Sequence, residues 1–138
     1  MTSRARLVPE LLVSDIGRSL DFYLGICGWR VLWQRQAEGF AYLAREGAEL
    51  MLEEPRGRTF LAGPLEPPYG RGMNLQTQVD DVDALFASVL AAGLVPLLAL
   101  EETWYRTGAV LSGNRQFVVA DPDGYLLRYF TDLGQRPG

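Results

Sequence analysis

The side chains that most often carry chemistry are scarce in this sequence. Among 138 residues there is no histidine and one cysteine, Cys27. Without histidine there is no His-based triad, no imidazole general base and none of the usual zinc sites. A lone cysteine excludes an intrachain disulfide and a CxxC-type metal clasp, and Cys27 reads as a small buried hydrophobe. No serine or threonine stands beside a base in a recognisable nucleophile setting. Asp121 and Asp123 look like a paired acid and base, but they bracket Pro122 and precede Gly124. Aspartates there bond their own turn, so local hydrogen bonding is the expected role. Trp33, Tyr42, Trp104 and Tyr105 offer flat faces, and Glu10, Glu53, Asn74, Gln76 and Arg128 offer polar contacts. Of Trp29 and Trp33, which share a strand, either one also suits the core.

These residues must be positioned by repeated elements. Residues 115–130 read as two strands joined by the Asp121-Pro122-Asp123-Gly124 turn. Residues 39–53 align beneath them without a gap, with Phe40 under Phe117, Gly47 under Gly124 and Leu50 under Leu127. Val13-Ser14-Asp15-Ile16 and Val79-Asp80-Asp81-Val82 each end a strand and open a helix, and the helices close near Gly28 and Gly93. A duplication of this length predicts one supersecondary unit used twice.

The spacing predicts a strand over 7–13, then a helix with Ile16, Leu20, Tyr23 and Leu24 on its apolar face, then strands over 29–36, 40–44 and 48–53. A Pro- and Gly-rich linker covers 54–72. A strand over 73–79 follows, then a helix carrying Val82, Leu85, Phe86, Val89 and Leu90, a strand over 94–100, and a loop over 101–114 that holds Trp104 and Tyr105. The expected fold is α+β. One domain over 1–138 contains two tandem βαβββ modules, at 7–53 and 73–131, whose eight strands make a curved mixed sheet with two helices outside. Glu10, Asn74, Gln76, Gln78 and Arg128 fall in the phase opposite the helix-packing residues. A ligand cleft and a solvated sheet face both account for such a polar stripe.

Hydrophobic residues at 48% and charged residues at 22% are ordinary for a soluble globular domain. No apolar run is long enough to span a bilayer, and the first residues lack the apolar stretch of a signal peptide, so a cytoplasmic protein with no membrane partner is expected. A net charge of −4 and a pI near 4.8 argue against a nucleic-acid partner. Mild acidity attracts cationic partners, and it also serves solubility.

The paired modules, the V-x-D opening of each helix and the hairpin Asp121-Pro122-Asp123-Gly124-Tyr125-Leu126-Leu127-Arg128 resemble the vicinal oxygen chelate superfamily over residues 7–131. That group includes glyoxalase I, extradiol dioxygenases, fosfomycin resistance enzymes and bleomycin resistance proteins. Its catalytic members hold a divalent metal from the first, fourth, fifth and last strands. The resemblance puts those positions at Val8, Met51, Asn74 and Arg128, a poor donor set for a hard cation. A slip of two residues would offer Glu10 with Glu49 or Glu53 instead.

Glu49-Leu50-Met51-Leu52-Glu53-Glu54, Arg115-Gln116-Phe117 and the final hairpin are similar to the bleomycin resistance branch. This likeness implies a non-catalytic, metal-independent homodimer without a cofactor, often exchanging its first strand. Such a dimer sequesters a bleomycin-type antibiotic or a similar small aromatic, cationic ligand in a crevice at its interface. The implied ligand contacts are Glu10, Trp33, Tyr42, Met51, Glu53, Asn74, Gln76, Trp104, Tyr105, Arg115, Phe117 and Arg128, with no catalytic residue and no metal ligand. A tryptophan common before the Arg-x-Phe motif is Gly113 here, which leaves Trp104 to stack on the guest. Arg128 is expected either to bridge to Glu10, Glu49 or Glu53 or to meet an anionic group of the ligand. The alternative is a lyase or dioxygenase using a divalent metal through Glu10, Glu49 or Glu53, and Asn74. A third reading is a ligand-sensing or self-immunity protein whose compound is unrelated to bleomycin.

Overall fold

Of the two candidate caps in each Val-x-Asp motif, Ser14 or Asp15 and Asp80 or Asp81, it is Asp15 and Asp81 that start the helices. Each side chain accepts a hydrogen bond from the backbone N–H three residues on, Arg18 at 3.2 Å and Ala84 at 3.0 Å. The computed structural model describes residues 4–138 and divides into two compact units. One holds the chain up to Tyr69 together with Asp121–Gly124, and the other holds Gly70–Ala120 with Tyr125–Gly138. Among the described residues no helix is long and apolar enough to cross a membrane.

In the first unit β1 (Glu10–Leu12) leads into α1 (Ile16–Leu20), which continues as a π-helical stretch over Asp21–Ile26. Then come β2 (Arg30–Arg35), β3 (Phe40–Arg45) and β4 (Ala48–Glu53). The sheet order is β1-β4-β3-β2, with β1 parallel to β4 and the other pairs antiparallel. Leu43 of β3 and Leu50 and Leu52 of β4 are fully buried, and on β4 the two leucines alternate with less buried neighbours, as a sheet covered on one side requires. Phe22 and Tyr23 from the helical segment join that core, and Trp29 meets Tyr23 edge-on at 6.1 Å. Of the two tryptophans near β2, it is therefore Trp29 that packs inside. Cys27 is buried. The paired aspartates are indeed structural. Asp121 accepts from the Tyr23 hydroxyl at 2.8 Å and from the backbone of Asp123 and Gly124 at 2.9 and 3.0 Å. Asp123 accepts from the Ser14 backbone and hydroxyl.

The second unit runs β5 (Asn74–Gln78), α2 (Val82–Ala91), β6 (Leu98–Thr107), β7 (Val110–Ala120) and β8 (Leu126–Pro137). Its order is β5-β8-β7-β6, again with the first strand parallel to the fourth. Phe86 of α2 packs on Phe117 at 5.2 Å, and Phe117 lies 5.7 Å from Tyr129. Thr131 accepts from the first helical N–H, Val82, at 3.0 Å and donates to Val79 O at 3.0 Å, pinning the strand-to-helix corner.

Two expectations are corrected. Residues 101–114 do not form a loop, because β6 and β7 run on and pair from Glu101↔Gln116 to Thr107↔Val110. The alternation of Thr103, Tyr105 and Thr107 suits a strand, and Gly108, at φ +70°, turns it tightly. The gapless alignment also slips across the hairpin turn. In the first unit two residues separate the paired Arg45 and Ala48, whereas five separate Ala120 and Leu126 in the second. Gly47 does match Gly124, and Met51 matches Arg128, since Glu10↔Met51 and Gln76↔Arg128 are equivalent parallel pairs. Phe40, however, lies opposite Glu53, whose counterpart Phe130 lies opposite Gln116. Phe40 therefore corresponds to Gln116, not to Phe117. A slip of one residue moves a side chain to the other sheet face.

Candidate functional site

The face of the first sheet away from α1 gathers five of the expected contacts. The pairs Glu10↔Met51, Tyr42↔Met51, Trp33↔Tyr42 and Phe40↔Glu53 put Glu10, Trp33, Tyr42, Met51 and Glu53 on one side. Trp33 and Tyr42 stack at 4.0 Å with an interplanar angle of 17°. Tyr42 is 1% exposed and Trp33 39%, so the indole covers the phenol and leaves its own outer surface to solvent. The Tyr42 hydroxyl donates to Glu49 Oε1, and the Ala5 backbone N–H donates to Glu49 Oε2 at 3.0 Å. A cavity of about 460 Å³ opens here, lined by Arg4, Ala5, Arg6, Val8, Tyr42 and Met51.

The electrostatics of this face are uneven. Burial and the nearby Glu53 carboxylate, which also shares a hydrogen bond with it, raise the pKa of Glu10, while Arg35 pulls the other way. Glu49 is held below the usual carboxylate range by the Tyr42 hydroxyl and the Ala5 N–H. Burial and the same Glu49 contact push the Tyr42 phenol up. Arg35 is committed elsewhere, pairing with Glu38 and lying 3.9 Å over the Phe40 ring.

The second sheet places the remaining expected residues on both of its faces. Asn74, Gln76, Tyr105 and Arg128 lie away from α2, with Arg128 donating to Gln76 Oε1 and the Tyr105 hydroxyl accepting from Gln116 Nε2 at 2.7 Å. Trp104, Arg115 and Phe117 lie on the α2 face. Phe117 is fully buried against Phe86, and Arg115 grips the Asp83 carboxylate of α2 at 2.8–3.1 Å. That contact lowers the Asp83 pKa and raises that of Arg115. Trp104 lies across the strand partner Gly113, where an added Cβ would come within 2.7 Å of the ring, and Arg136 covers it at 4.1 Å. Within the second sheet the ring thus lies on the side opposite Asn74, Gln76 and Arg128. Gly113 is small because the indole occupies the space above it. Sequence reasoning passed over Gln116 and Glu101, because recognising them required seeing β6 as a strand.

A family model for the Glyoxalase/Bleomycin resistance protein/Dioxygenase superfamily matches residues 6–129. The chain belongs to this superfamily. TioX from Micromonospora sp. ML1 is 25% identical, with 94% of this chain and 99% of that one covered and a TM-score of 0.69. A protein of unknown function from Agrobacterium tumefaciens str. C58 is 28% identical over 96% and 98%, with a TM-score of 0.68. A superfamily member from Vibrio splendidus 12B01 is 36% identical over 90% and 95%, with a TM-score of 0.42. A comparison with curated proteins finds no match.

Catalytic members of the superfamily imply a divalent metal, and the residues here do not fit one. The matching positions carry the hydrocarbon of Val8, the thioether of Met51, the amide of Asn74 and the guanidinium of Arg128. Arg128 stands opposite Gln76 in the parallel pair, as Met51 stands opposite Glu10, so the register puts a fixed cation where a metal's carboxylate would sit. Among the described residues no three Cys, Asp or Glu side chains converge as a metal requires.

Proposed function

We propose that this superfamily member is a metal-independent binding protein, acting as a homodimer, that sequesters a small aromatic and cationic ligand; a bleomycin-type antibiotic is the first compound to try. The observation that carries this reading is the pairing of two carboxylates, Glu10 and Glu53, with an open aromatic surface on the same sheet face. Two carboxylates held together repel, and the raised Glu10 pKa reflects first its partial burial and then that repulsion. A guest cation relieves it. The outer face of Trp33, backed by Tyr42, supplies a flat stacking surface already fixed in orientation, so little rotamer entropy is lost on binding. Met51 and Val8 add apolar, polarizable walls to the adjoining cavity.

Binding of bleomycin followed by tryptophan fluorescence tests this, with Trp33→Ala and Glu53→Gln as comparisons. Saturation at micromolar ligand is expected, with Trp33→Ala weakening it by about 1–3 kcal/mol through lost aromatic burial. Glu53→Gln costs less, and its effect shrinks as salt screens the attraction. No saturable change, or one that Trp33→Ala leaves untouched, refutes the assignment. Sedimentation of the free protein tests the homodimer, and a monomer at all concentrations refutes it.

A further inference from the structure

The face of the second sheet away from α2 holds two buried polar atoms that no described residue satisfies. Gln116 is 2% exposed. Its side-chain N–H groups are both used, donating to Glu101 Oε1 at 3.1 Å and to the Tyr105 hydroxyl at 2.7 Å. Its carbonyl oxygen, Oε1, is buried and has no hydrogen-bond partner. Turning the amide over does not cure this, because it would set that oxygen against the Glu101 carboxylate. Thr103 donates to the same Glu101 oxygen at 3.0 Å, so the arrangement is pinned from a third side.

Arg128 supplies the complement. It donates to Gln76 Oε1, yet its Nε–H is buried without a partner, and within the second unit it pairs with no carboxylate. Arg128 lies opposite Val118 while Gln116 lies opposite Phe130, so the two are diagonal neighbours on one face. Buried polar groups are nearly always paired, and an orphan donor beside an orphan acceptor asks for a ligand with both functions. A simple anion would satisfy Arg128 and leave Gln116 empty. A simple cation would suit Gln116, with Glu101 behind it, and be repelled by Arg128.

We infer that this face is a subsite for an amino-carboxylate, a free amino acid or the end of a short peptide. The ligand's carboxylate accepts from Arg128 Nε, and its N–H donates to Gln116 Oε1, with the Glu101 charge favouring a protonated amine. No residue of the first unit takes part, so this subsite stands apart from the aromatic, cationic guest proposed above.

Nitrogen-15 NMR of the full chain reads the two orphan groups directly, through the Gln116 side-chain amide and the Arg128 Nε–H. Phenylalanine and the dipeptide Ala-Ala are the probes, with phenethylamine and 3-phenylpropionate lacking one charged end each. At least one of the two complete probes shifts both signals in a saturable way. Each truncated compound binds about tenfold more weakly or worse than phenylalanine, as loss of one charge-assisted hydrogen bond predicts. Arg128→Gln weakens binding by a similar factor in a protein whose backbone spectrum and melting temperature show it folded. Arg128→Lys keeps the charge but lacks the Nε–H, and restores only part of the affinity. If neither complete probe moves those signals at millimolar concentration, or if the truncated compounds bind equally well, the inference is overturned and water alone fills the site. Binding that survives Arg128→Gln unchanged overturns it equally. The bleomycin experiment reads Trp33 in the other unit, so failure of one leaves the other standing.

Discussion

Replacing Gly124 with alanine should be far more damaging than the same change at its counterpart, Gly47. Both glycines close a hairpin with positive φ, +103° and +89°. An L side chain in such a conformation costs about 1–2 kcal/mol, offset by about 0.4–1 kcal/mol because alanine narrows the unfolded ensemble. At Gly47 that is the whole effect, since a Cβ there meets nothing within 4 Å. At Gly124 the new Cβ would lie 2.5 Å from Pro68 Cβ, 2.8 Å from Pro68 Cα and 3.1 Å from the Tyr69 nitrogen. The backbone there cannot retreat cheaply, because the Tyr69 N–H donates to Asp123 O at 2.8 Å. Overpacking of this kind adds about 1–3 kcal/mol, and losing the backbone bond adds about 0.5–1.5 kcal/mol. Gly47→Ala should therefore cost up to about 1.5 kcal/mol and Gly124→Ala about 1.5–6 kcal/mol, a large share of a domain's total stability. Urea unfolding of both variants with equal m-values measures the difference. Equal midpoints would refute the argument that the close approach, rather than φ alone, demands glycine at Gly124.

The raised Glu10 pKa makes a paired prediction with opposite signs. The folded state holds the Glu10 proton more tightly than the unfolded chain, so stability falls as pH rises through the window from the ordinary carboxylate pKa to the raised one. Glu10→Gln should then stabilise the free protein at neutral pH by about 0.2–1 kcal/mol in urea titrations, while weakening a cationic ligand. A destabilised variant would contradict it. Gly113→Ala should push the Trp104 ring from beneath Arg136, costing about 1–3 kcal/mol and changing tryptophan emission; an unchanged spectrum would mean the ring is not seated there. Protein purified without a chelator should carry less than stoichiometric nickel, zinc, iron or manganese, and ligand affinity should survive EDTA. A full equivalent of metal whose removal abolishes binding would favour lyase or dioxygenase chemistry.

Much of the architecture was legible because its signals are local. Asp15 and Asp81 cap helices through bonds three residues away, and Gly47 and Gly124 mark turns by their own backbone freedom. The periodicity of Leu50 and Leu52 against Met51 and Glu53 separates a covered face from a polar one without reference to any other strand. That was enough to put Met51 and Glu53 in one phase, and the register between strands then brings Glu10, Trp33 and Tyr42 to the same face.

What could not be read depends on register between strands. Trp104 looked like a loop residue because its partner, Gly113, offers no side chain to complete a strand pattern, and the flat seat that the glycine provides exists only after the hairpin pairs. Phe40 and Phe117 looked equivalent because both are aromatic, yet the longer turn of the second hairpin turns Phe117 toward α2 and brings Gln116 to the other face. The same slip explains why the two polar faces differ in character. On the first, Phe40 lies beneath Arg35 and carboxylates dominate. On the second, the corresponding Gln116 faces the chemistry of Glu101 and Arg128, so one duplicated unit presents two faces that carry different groups. In a fold that hosts many activities, function then follows from which side chains the register delivers to each face rather than from the scaffold itself.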